Sequence, residues 1–583
     1  MHPTEAPLAL QVREYLLTLY RKFLMRNESE RPGARYYVRD GKRKVLPQFG
    51  GFAAPSAAYF ALTQFDGNPY FGDARFIDFA FDAAERLLID HARVWNGSEK
   101  PNHFTIYPMA LIYELLGEQA GAKRRAAWRE LMARNLAATD ALIARTKDTL
   151  GQPGPMSGTG PNHFFGWFAV AYHQAQVLGD DVRMRRYTEA ILRHARIQAD
   201  AGYFPEHIGP AVIYHGVSIG GLAEFYRLCP KPELRRRLDR ALEFLTCMLY
   251  PDLKLIETFD ERNRHGYDSG FQCALAWSSE GRRLLERLVT KYQAEVAGVP
   301  NKFHPMFNHW WTLGNAYRCM EQLFTAAAEG QSGTKPLPIE QPRFVYNLEQ
   351  KALVRKEGPW FYALSSYAHH TTPGNPYILE RQQYFSLYHD ACGLISGGGN
   401  DKRAPRAGTI HIVEEGEVHY YPPREGRLNV QARSAILKKG TRCDALSFDY
   451  GGTFAQLEVL VENSRRIELG LAAQSNMCNH EVALVLQLPL TAPQKLKLDG
   501  KAFTLKKAKP GAARGSFAFK KSFEVPGKWR LTTPVPAKLE WPHLPWNPYG
   551  PPEYRVGPDK AVALLRVALP KPAWRTTVKI EVL

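Results

Sequence analysis

Two kinds of hydrophobic pattern alternate along the first 330 residues. In the first kind, apolar residues recur every three or four positions and charges fill the rest, as in ARFIDFAFDAAERLLID (74–90), DVRMRRYTEAILRHARIQA (181–199) and EGRRLLERLVTKYQAEV (280–296). Such a helix buries one stripe and shows the other to water. In the second kind the segment is apolar nearly all round and rich in small residues, as in FTIYPMALIYELLG (104–117), FFGWFAVAYHQAQVLG (164–179), GVSIGGLAEFYRL (216–228) and WWTLGNAYRCMEQLF (310–324). A helix of that kind is buried. The pattern predicts twelve helices, near 6–26, 52–65, 74–92, 102–117, 121–146, 162–178, 181–200, 214–228, 231–248, 268–278, 280–296 and 309–328. Alternating outer and inner helices joined by short connections make six αα-hairpins, which close into an (α/α)6 toroid. Its inner helices run parallel, so their starts share one rim.

The period then changes. GTKPLPIEQPRF (333–344) reads as a linker, and beyond it lie runs such as FVYNLEQKALVRK, GTIHIVEEG, EVALVLQLPL and TTVKIEVL, separated by Gly, Pro and Asn-rich turns. This is the pattern of antiparallel sheet. The expected division is a toroid over 1–335, a linker over 336–345 and an antiparallel β-sandwich over 346–583, an α+β multidomain chain. A length of 583 residues is too great for one core and suits two domains.

Charge and cysteine content narrow the partners. The net charge of +18 draws polyanions, yet the basic residues are spread over helix faces, as in KRRAAWREL and ELRRRLDRAL, with no block of the kind that marks a nucleic-acid arm. The expected partner is an acidic polysaccharide or oligosaccharide, and neither nucleic acid nor a membrane. The seven cysteines form no CxxC pair, which argues against a disulfide framework and a cysteine zinc site. No Walker loop, Rossmann glycine pattern or HExxH is present. No cofactor and no metal are expected. The opening MHPTEAPLALQVREYLL lacks the apolar core of a signal peptide. The chain as written is expected in the cytoplasm, or in the periplasm or outside the cell if a signal preceded this numbering.

The polar residues of the inner helices gather at their starts: Asn102 and His103, Asn162 and His163, Tyr214 and His215, Tyr267 and Asp268, Asn308 and His309. Asn and Asp are also common N-caps, so each one alone reads as a cap. Five inner helices with the same habit point to one funnel lined by neutral amides, imidazoles and phenols. Removing a proton alpha to a sugar carboxylate needs such groups: amide or Arg donors for the charge that develops on the carboxylate, and Tyr or His for the proton transfers.

Two stretches carry a family resemblance. GPNHFFGWFAVAYHQAQVLGD (160–180) is similar to the Asn-His helix start of the polysaccharide lyases that join an α/α toroid to an antiparallel β domain, and ADAGYFPEHIGPAVIYHGVSIGGLAEFYRL (199–228) is similar to their D-G-x-F … Y-H segment. These are the heparinases, the related alginate lyases and, more distantly, the chondroitin and hyaluronate lyases. The resemblance implies β-elimination on a uronic-acid glycan, with Asn162 binding the carboxylate, Tyr214 transferring the proton, and His207 and Arg262 completing the catalytic set. Asn102, His103, His163, His215, Arg264, Tyr267, Asn308, His309 and Trp310 would contact substrate. This sequence departs from the pattern in two places: Ala201 separates Asp200 from Gly202, and Ile219 precedes Gly220 where the chondroitin lyases carry Tyr.

Two other readings use the same residues. A glycoside hydrolase on the same toroid needs two carboxyl groups across the scissile bond, and Glu206 with Asp268, or Glu257 with Asp260, would supply them. A non-catalytic glycan-binding protein would keep the aromatic residues and have no use for the proton-transfer groups. In the β domain Tyr388 and His389, and His419, Tyr420 and Tyr421, read as surface strand aromatics, though the resemblance would also allow a β-domain His to reach the cleft.

Overall fold

The computed structural model of the chain describes residues 6–21, 36–39, 42–45, 50–95, 107–151, 162–206, 209–259, 270–298, 311–368, 383–398, 408–414, 432–475, 480–509, 515–543, 561–571 and 574–583. They form two compact units. One comprises Met1–His207, Tyr214–Thr246 and Ser269–Leu337, and the other Ile208–Ile213, Cys247–Asp268 and Pro338–Leu583.

Among the described residues the helical unit is built on eleven α-helices: α1 (Pro7–Leu19), α2 (Ala54–Leu62), α3 (Ala74–Trp95), α4 (Met109–Leu116), α5 (Ala122–Arg145), α6 (Asn162–Leu178), α7 (Asp181–His194), α8 (Val212–Leu228), α9 (Pro232–Cys247), α10 (Ser279–Gly298) and α11 (Trp311–Ala328). Where a further α-helix was predicted at 268–278, a 3-10 helix, Phe271–Trp277, takes its place, following Gly270 in the left-handed region. The two predicted helix types are both present. In α6 every residue from Phe164 to Ala175 is buried. In α7 Tyr187, Ala190, Ile191 and His194 are buried while Arg185, Arg186 and Arg193 face water, and the Asp180 carboxylate caps the helix by accepting the Arg183 amide at 3.0 Å.

The inner elements close on themselves. α2 packs on α4, and α4 on α6. Gly221 of α8 lies against the Phe165–Gly166 backbone of α6. The Gly220 carbonyl of α8 accepts from the Cys273 thiol in the 3-10 helix. The 3-10 helix packs on α11, and α11 returns to α2. The outer helices back this ring: α3 on α2, α5 and α7 on α6, α10 on the 3-10 helix, α1 on α11, and α9 on α8 through the Phe244 and His215 rings.

Direction follows from paired contacts. Phe165 and Tyr172 of α6 match Gly221 and Phe225 of α8 in the same order along the chain. Gly220 and Glu224 of α8 match Arg318 and Gln322 of α11. Phe52, just before α2, and Tyr59 within it match Gly314 and Tyr317 of α11. The inner helices α2, α6, α8 and α11 therefore run parallel, with their starts at one end of the ring.

Among the described residues the second unit holds three antiparallel sheets. One has nine strands, with Thr453–Asn463, Arg466–Ser475 and Arg575–Val582 adjacent within it, and two have five strands each. The period of two is plain in Thr453–Asn463, where Thr453, Ala455, Leu457 and Val459 are buried and Phe454 and Glu458 are exposed. Leu457, Leu469 and Val578 of the large sheet share one core with Leu484, Leu539 and Leu565 of the second and Tyr362, Leu364 and Leu387 of the third. Stacked sheets enclosing a common core make a β-sandwich.

The division between units is not the single cut near residue 340 that the change of period implied. Ile208–Ile213 and Cys247–Asp268 belong with the sheets, and a strand already begins at Arg343 within the expected linker. Specific contacts hold the second of these excursions. The Tyr250 ring packs edge-on against Phe361 at 5.5 Å, the Thr258 hydroxyl donates to Ser386 at 2.8 Å, and the Glu257 carboxylate accepts the Gly398 amide at 2.9 Å. Tyr388 and His389, expected on the surface, are instead interior residues of this unit: Tyr388 stacks on Tyr250, and His389 bonds the Ser464 carbonyl; His419, Tyr420 and Tyr421 lie outside the described residues.

The backbones of α6 and α8 approach closely at their crossing. A Cβ on Gly221 would lie 2.6 Å from the Gly166 nitrogen and 2.7 Å from the Phe165 carbonyl carbon, both backbone atoms. Gly221→Ala is expected to destabilise the helical unit by about 1–3 kcal/mol through overpacking. At Gly220 the nearest atom is the Gly270 oxygen at 3.5 Å, an ordinary contact. There the same substitution is expected to be neutral or stabilising by up to about 1 kcal/mol, the helix-propensity gain of Ala over Gly. Thermal or denaturant unfolding of the two variants followed by circular dichroism at 222 nm checks the contrast.

Candidate active site

The segment before α8 is set by a glycine. Residues 199–203 fold into a turn in which the Gly202 amide donates to the Ala199 carbonyl and the Ala199 amide to the Tyr203 carbonyl. Gly202 has φ +95°, and a Cβ there would lie 2.3 Å from the Arg240 carbonyl oxygen of α9. Only glycine meets both conditions. The Gln198 amide locks the turn to α9 by donating to the Gly202 and Arg237 carbonyls, each at 2.8 Å. The chain then presents Phe204, whose ring contacts Phe165 near the start of α6 at 4.6 Å and His215 near the start of α8 at 5.9 Å. One residue thus joins the two helix starts that carry Asn162 and Tyr214.

Asn162 opens α6 and is 2% exposed, and its Nδ2 finds no acceptor among the described residues. His163 is half-buried with its ring stacked on Trp167 at 5.4 Å. Tyr214 is half-buried in the first turn of α8. Glu206 is buried, just beyond the Gly202 turn. Asn162, His163 and Tyr214 lie in the first turns of two parallel helices and so at one end of the ring. Asn102, His103, His207, Asp260, Arg262, Arg264, Tyr267, Asp268, Asn308, His309 and Trp310 lie outside the described residues.

Two expectations are corrected. His215 was expected to touch substrate, but it is fully buried, its Nδ1 accepting the Phe204 amide at 3.1 Å and its Nε2 donating to the Ala241 carbonyl at 3.0 Å. A ring with both nitrogens engaged by the protein has none left for a ligand. Burial lowers its pKa to about 4, with the Ala241 bond opposing, so the ring is neutral near pH 7. Glu257, a candidate hydrolase carboxylate, is fully buried and holds the Gly398 amide in the sheet unit.

The sequence reading missed a charged cluster farther along the same inner helices. Glu224 is bound by Arg227 at 2.6 Å and by the Gln322 amide at 2.9 Å, with Arg318 at 3.7 Å. The Arg318 guanidinium lies over the Tyr107 ring at 4.0 Å and donates to the Gly220 carbonyl. His173 of α6 bonds Glu114 of α4 at 3.0 Å, and Tyr317 donates to Glu321 at 3.0 Å. His173, Glu224, Arg227, Arg318 and Glu321 line one pocket within the ring. Burial pushes the Glu224 carboxyl up, but Arg227 and Arg318 outweigh it and hold the group well below the usual carboxylate range. Burial raises Glu321, with Arg227 and Tyr317 partly offsetting it. The visible signal was charge at helical spacing inside otherwise apolar helices, as in GLAEFYRL and AYRCMEQLF. Among the described residues no group of three or more His, Cys, Asp or Glu side chains gathers to hold a metal ion, and no helix is long and apolar enough to cross a membrane.

No family model matches the chain, and no curated protein matches it in sequence. Solved structures do match its fold. A chondroitin AC lyase from Streptomyces coelicolor A3, in complex with chondroitin sulphate, aligns with TM-score 0.50 and 13% identity over 100% of this chain and 80% of its own. A Paenibacillus xanthan lyase gives 0.53 and 11% over 100% of this chain and 57% of its own. Heparinase III gives 0.51 and 13% over 99% and 85%. The fold is that of polysaccharide lyases that join a helical ring to stacked antiparallel sheets. At these identities the likeness is one of fold, and it bears out the resemblance read from the two inner-helix motifs at that level.

The charged cluster has its own test. Glu224→Gln leaves Arg227 and Arg318 without their carboxylate, a loss of about 3–5 kcal/mol for a broken buried pair, to be read as a lower thermal midpoint. The folded-state pKa of Glu224 is depressed, so its contribution is present above the ordinary carboxylate range and is lost as the pH falls through the depressed value. The gap between wild type and variant is therefore expected to be full at pH 7 and to narrow only in acid.

Proposed function

We propose that the chain is a polysaccharide lyase that cleaves a uronic-acid-containing glycan by β-elimination, with no cofactor. The observation that carries this reading is Asn162. A buried amide donor without a partner costs about 1–3 kcal/mol, and this one stands at the end of the ring where Tyr214 begins the neighbouring helix. A uronate carboxylate would meet that donor, and the shared fold and the neutral or basic character of the predicted site support the assignment.

In this mechanism Asn162 and Arg262 hold the carboxylate and stabilise the charge that builds on it. Tyr214 moves the proton, and His207 belongs with it to the proposed catalytic set. The C5–H bond breaks, its electron pair becomes the C4–C5 double bond, the C4–O bond breaks, and the departing oxygen takes a proton. His163 faces the flanking sugars together with Asn102, His103, Arg264, Tyr267, Asn308, His309 and Trp310. An acidic polysaccharide or oligosaccharide is the partner, and the basic net charge favours its approach.

Incubation with a panel of acidic polysaccharides is expected to produce ultraviolet absorbance from the new C4–C5 double bond. Tyr214→Phe removes only the phenolic proton and is expected to lower turnover by about a hundred- to ten-thousand-fold with binding nearly intact. Asn162→Ala is expected to cost about a hundred- to a thousand-fold while leaving the thermal midpoint unchanged or raised, because it deletes a buried donor that has no acceptor among the described residues. New reducing ends without absorbance, with Glu206→Gln or Asp268→Asn inactive, would establish the hydrolase instead. Binding without any product would establish a glycan-binding protein.

A further inference from the structure

The first turns of α8, which carry Tyr214, are poor helix in their own right. They contain Gly216, Gly220 and Gly221 together with the β-branched Val212, Ile213, Val217 and Ile219. Each glycine costs about 1 kcal/mol relative to alanine in a helix, and β-branched residues add to the deficit. The start of this helix must therefore be held by its surroundings.

The holding group is the neighbour of Tyr214. The Nδ1 of His215 accepts the Phe204 amide, which places the proton on Nε2, and Nε2 donates to the Ala241 carbonyl of α9. The ring also packs edge-on against Phe244 of α9 at 4.9 Å and parallel to Phe204. Its two hydrogen-bond partners are already fixed to each other. Gly202 is pressed on the Arg240 carbonyl, one residue before Ala241, and Gln198 ties the same turn to Arg237. Outer helix and turn form a frame, and His215 joins the glycine-rich start of the inner helix to it.

We propose that His215 is a positioning residue for the reaction: by bonding the Phe204 amide and the Ala241 carbonyl it fixes the first turn of α8 and so orients the Tyr214 phenol. This rests on Tyr214 being the proton-transfer group. Adjacent helical residues point about 100° apart, so the His215 ring, directed at the outer helix, and the Tyr214 side chain leave α8 in different directions.

The test uses the full chain. His215→Phe keeps the ring and removes both hydrogen bonds. His215→Asn restores an acceptor for the Phe204 amide. The Phe variant is expected to lower kcat on the polysaccharide by about ten- to a hundred-fold, the scale of a displaced catalytic group, with KM nearly unchanged and partial rescue by Asn. A direct readout is the 19F resonance of 3-fluorotyrosine placed at position 214, expected to shift or split in the Phe variant and to recover toward wild type in the Asn variant. Glu224→Gln, which loosens the same helix ten residues farther on, is the control and is expected to leave that resonance in place. An unchanged resonance and kcat in His215→Phe, or a change no larger than that of Glu224→Gln, overturns the proposal. If the wild-type chain forms no unsaturated product, the reaction assignment falls, and the resonance still decides whether His215 orients Tyr214.

Discussion

The contact on which the helical unit depends is the meeting of α6 and α8 at Gly166 and Gly221, where no side chain separates the backbones. Close approach at this point aligns the two helices, and the matched pairs along α8 and α11 and along α11 and α2 carry the same direction round the ring. Parallel inner helices then have a chemical consequence. Their starts, with Asn162, His163 and Tyr214 among the described residues, lie at one end, and the charges of Glu224, Arg227 and Arg318 line a pocket farther along the same helices. The ring thus sets these helix starts apart from an ion cluster whose members bond one another.

Much of this was legible in the chain because the two periods are strong. Helices buried all round, such as α6, and helices with one wet face, such as α7, differ in composition at every turn. The alternation in Thr453–Asn463 is as plain. The 3-10 helix at Phe271–Trp277 was read as an α-helix because a short apolar run has no face to reveal its period. The attachment of Cys247–Asp268 to the sheets left no local trace. It is created by Glu257 and Thr258 meeting Gly398 and Ser386, partners more than a hundred positions away in the chain.

At the candidate site the chain's own pattern named helix starts rather than tasks. Asn162 and Tyr214 were named from helix-start composition and family likeness, and the parallel ring puts the starts of their helices at one end. His215 was placed beside them for the same reason, but neighbours on a helix do not share a face. Its direction toward α9 is decided by Phe204 and Ala241, which no local pattern announces. The ion cluster was overlooked for a related reason. Glu224 and Arg318 resemble surface charges when read singly, and only ring closure brings them together.

That closure joins the two ends of the helical stretch, since α1 and α2 both pack against α11 as well as against their neighbours in the ring. During synthesis that part of their contact forms only once the chain has grown past residue 328. The Cys247–Asp268 excursion waits longer still, for strands that begin after the ring is finished. Contacts of such long range fold slowly and leave apolar surface open in the interval. The ring of a newly made chain accordingly cannot close before its last inner helix has been made.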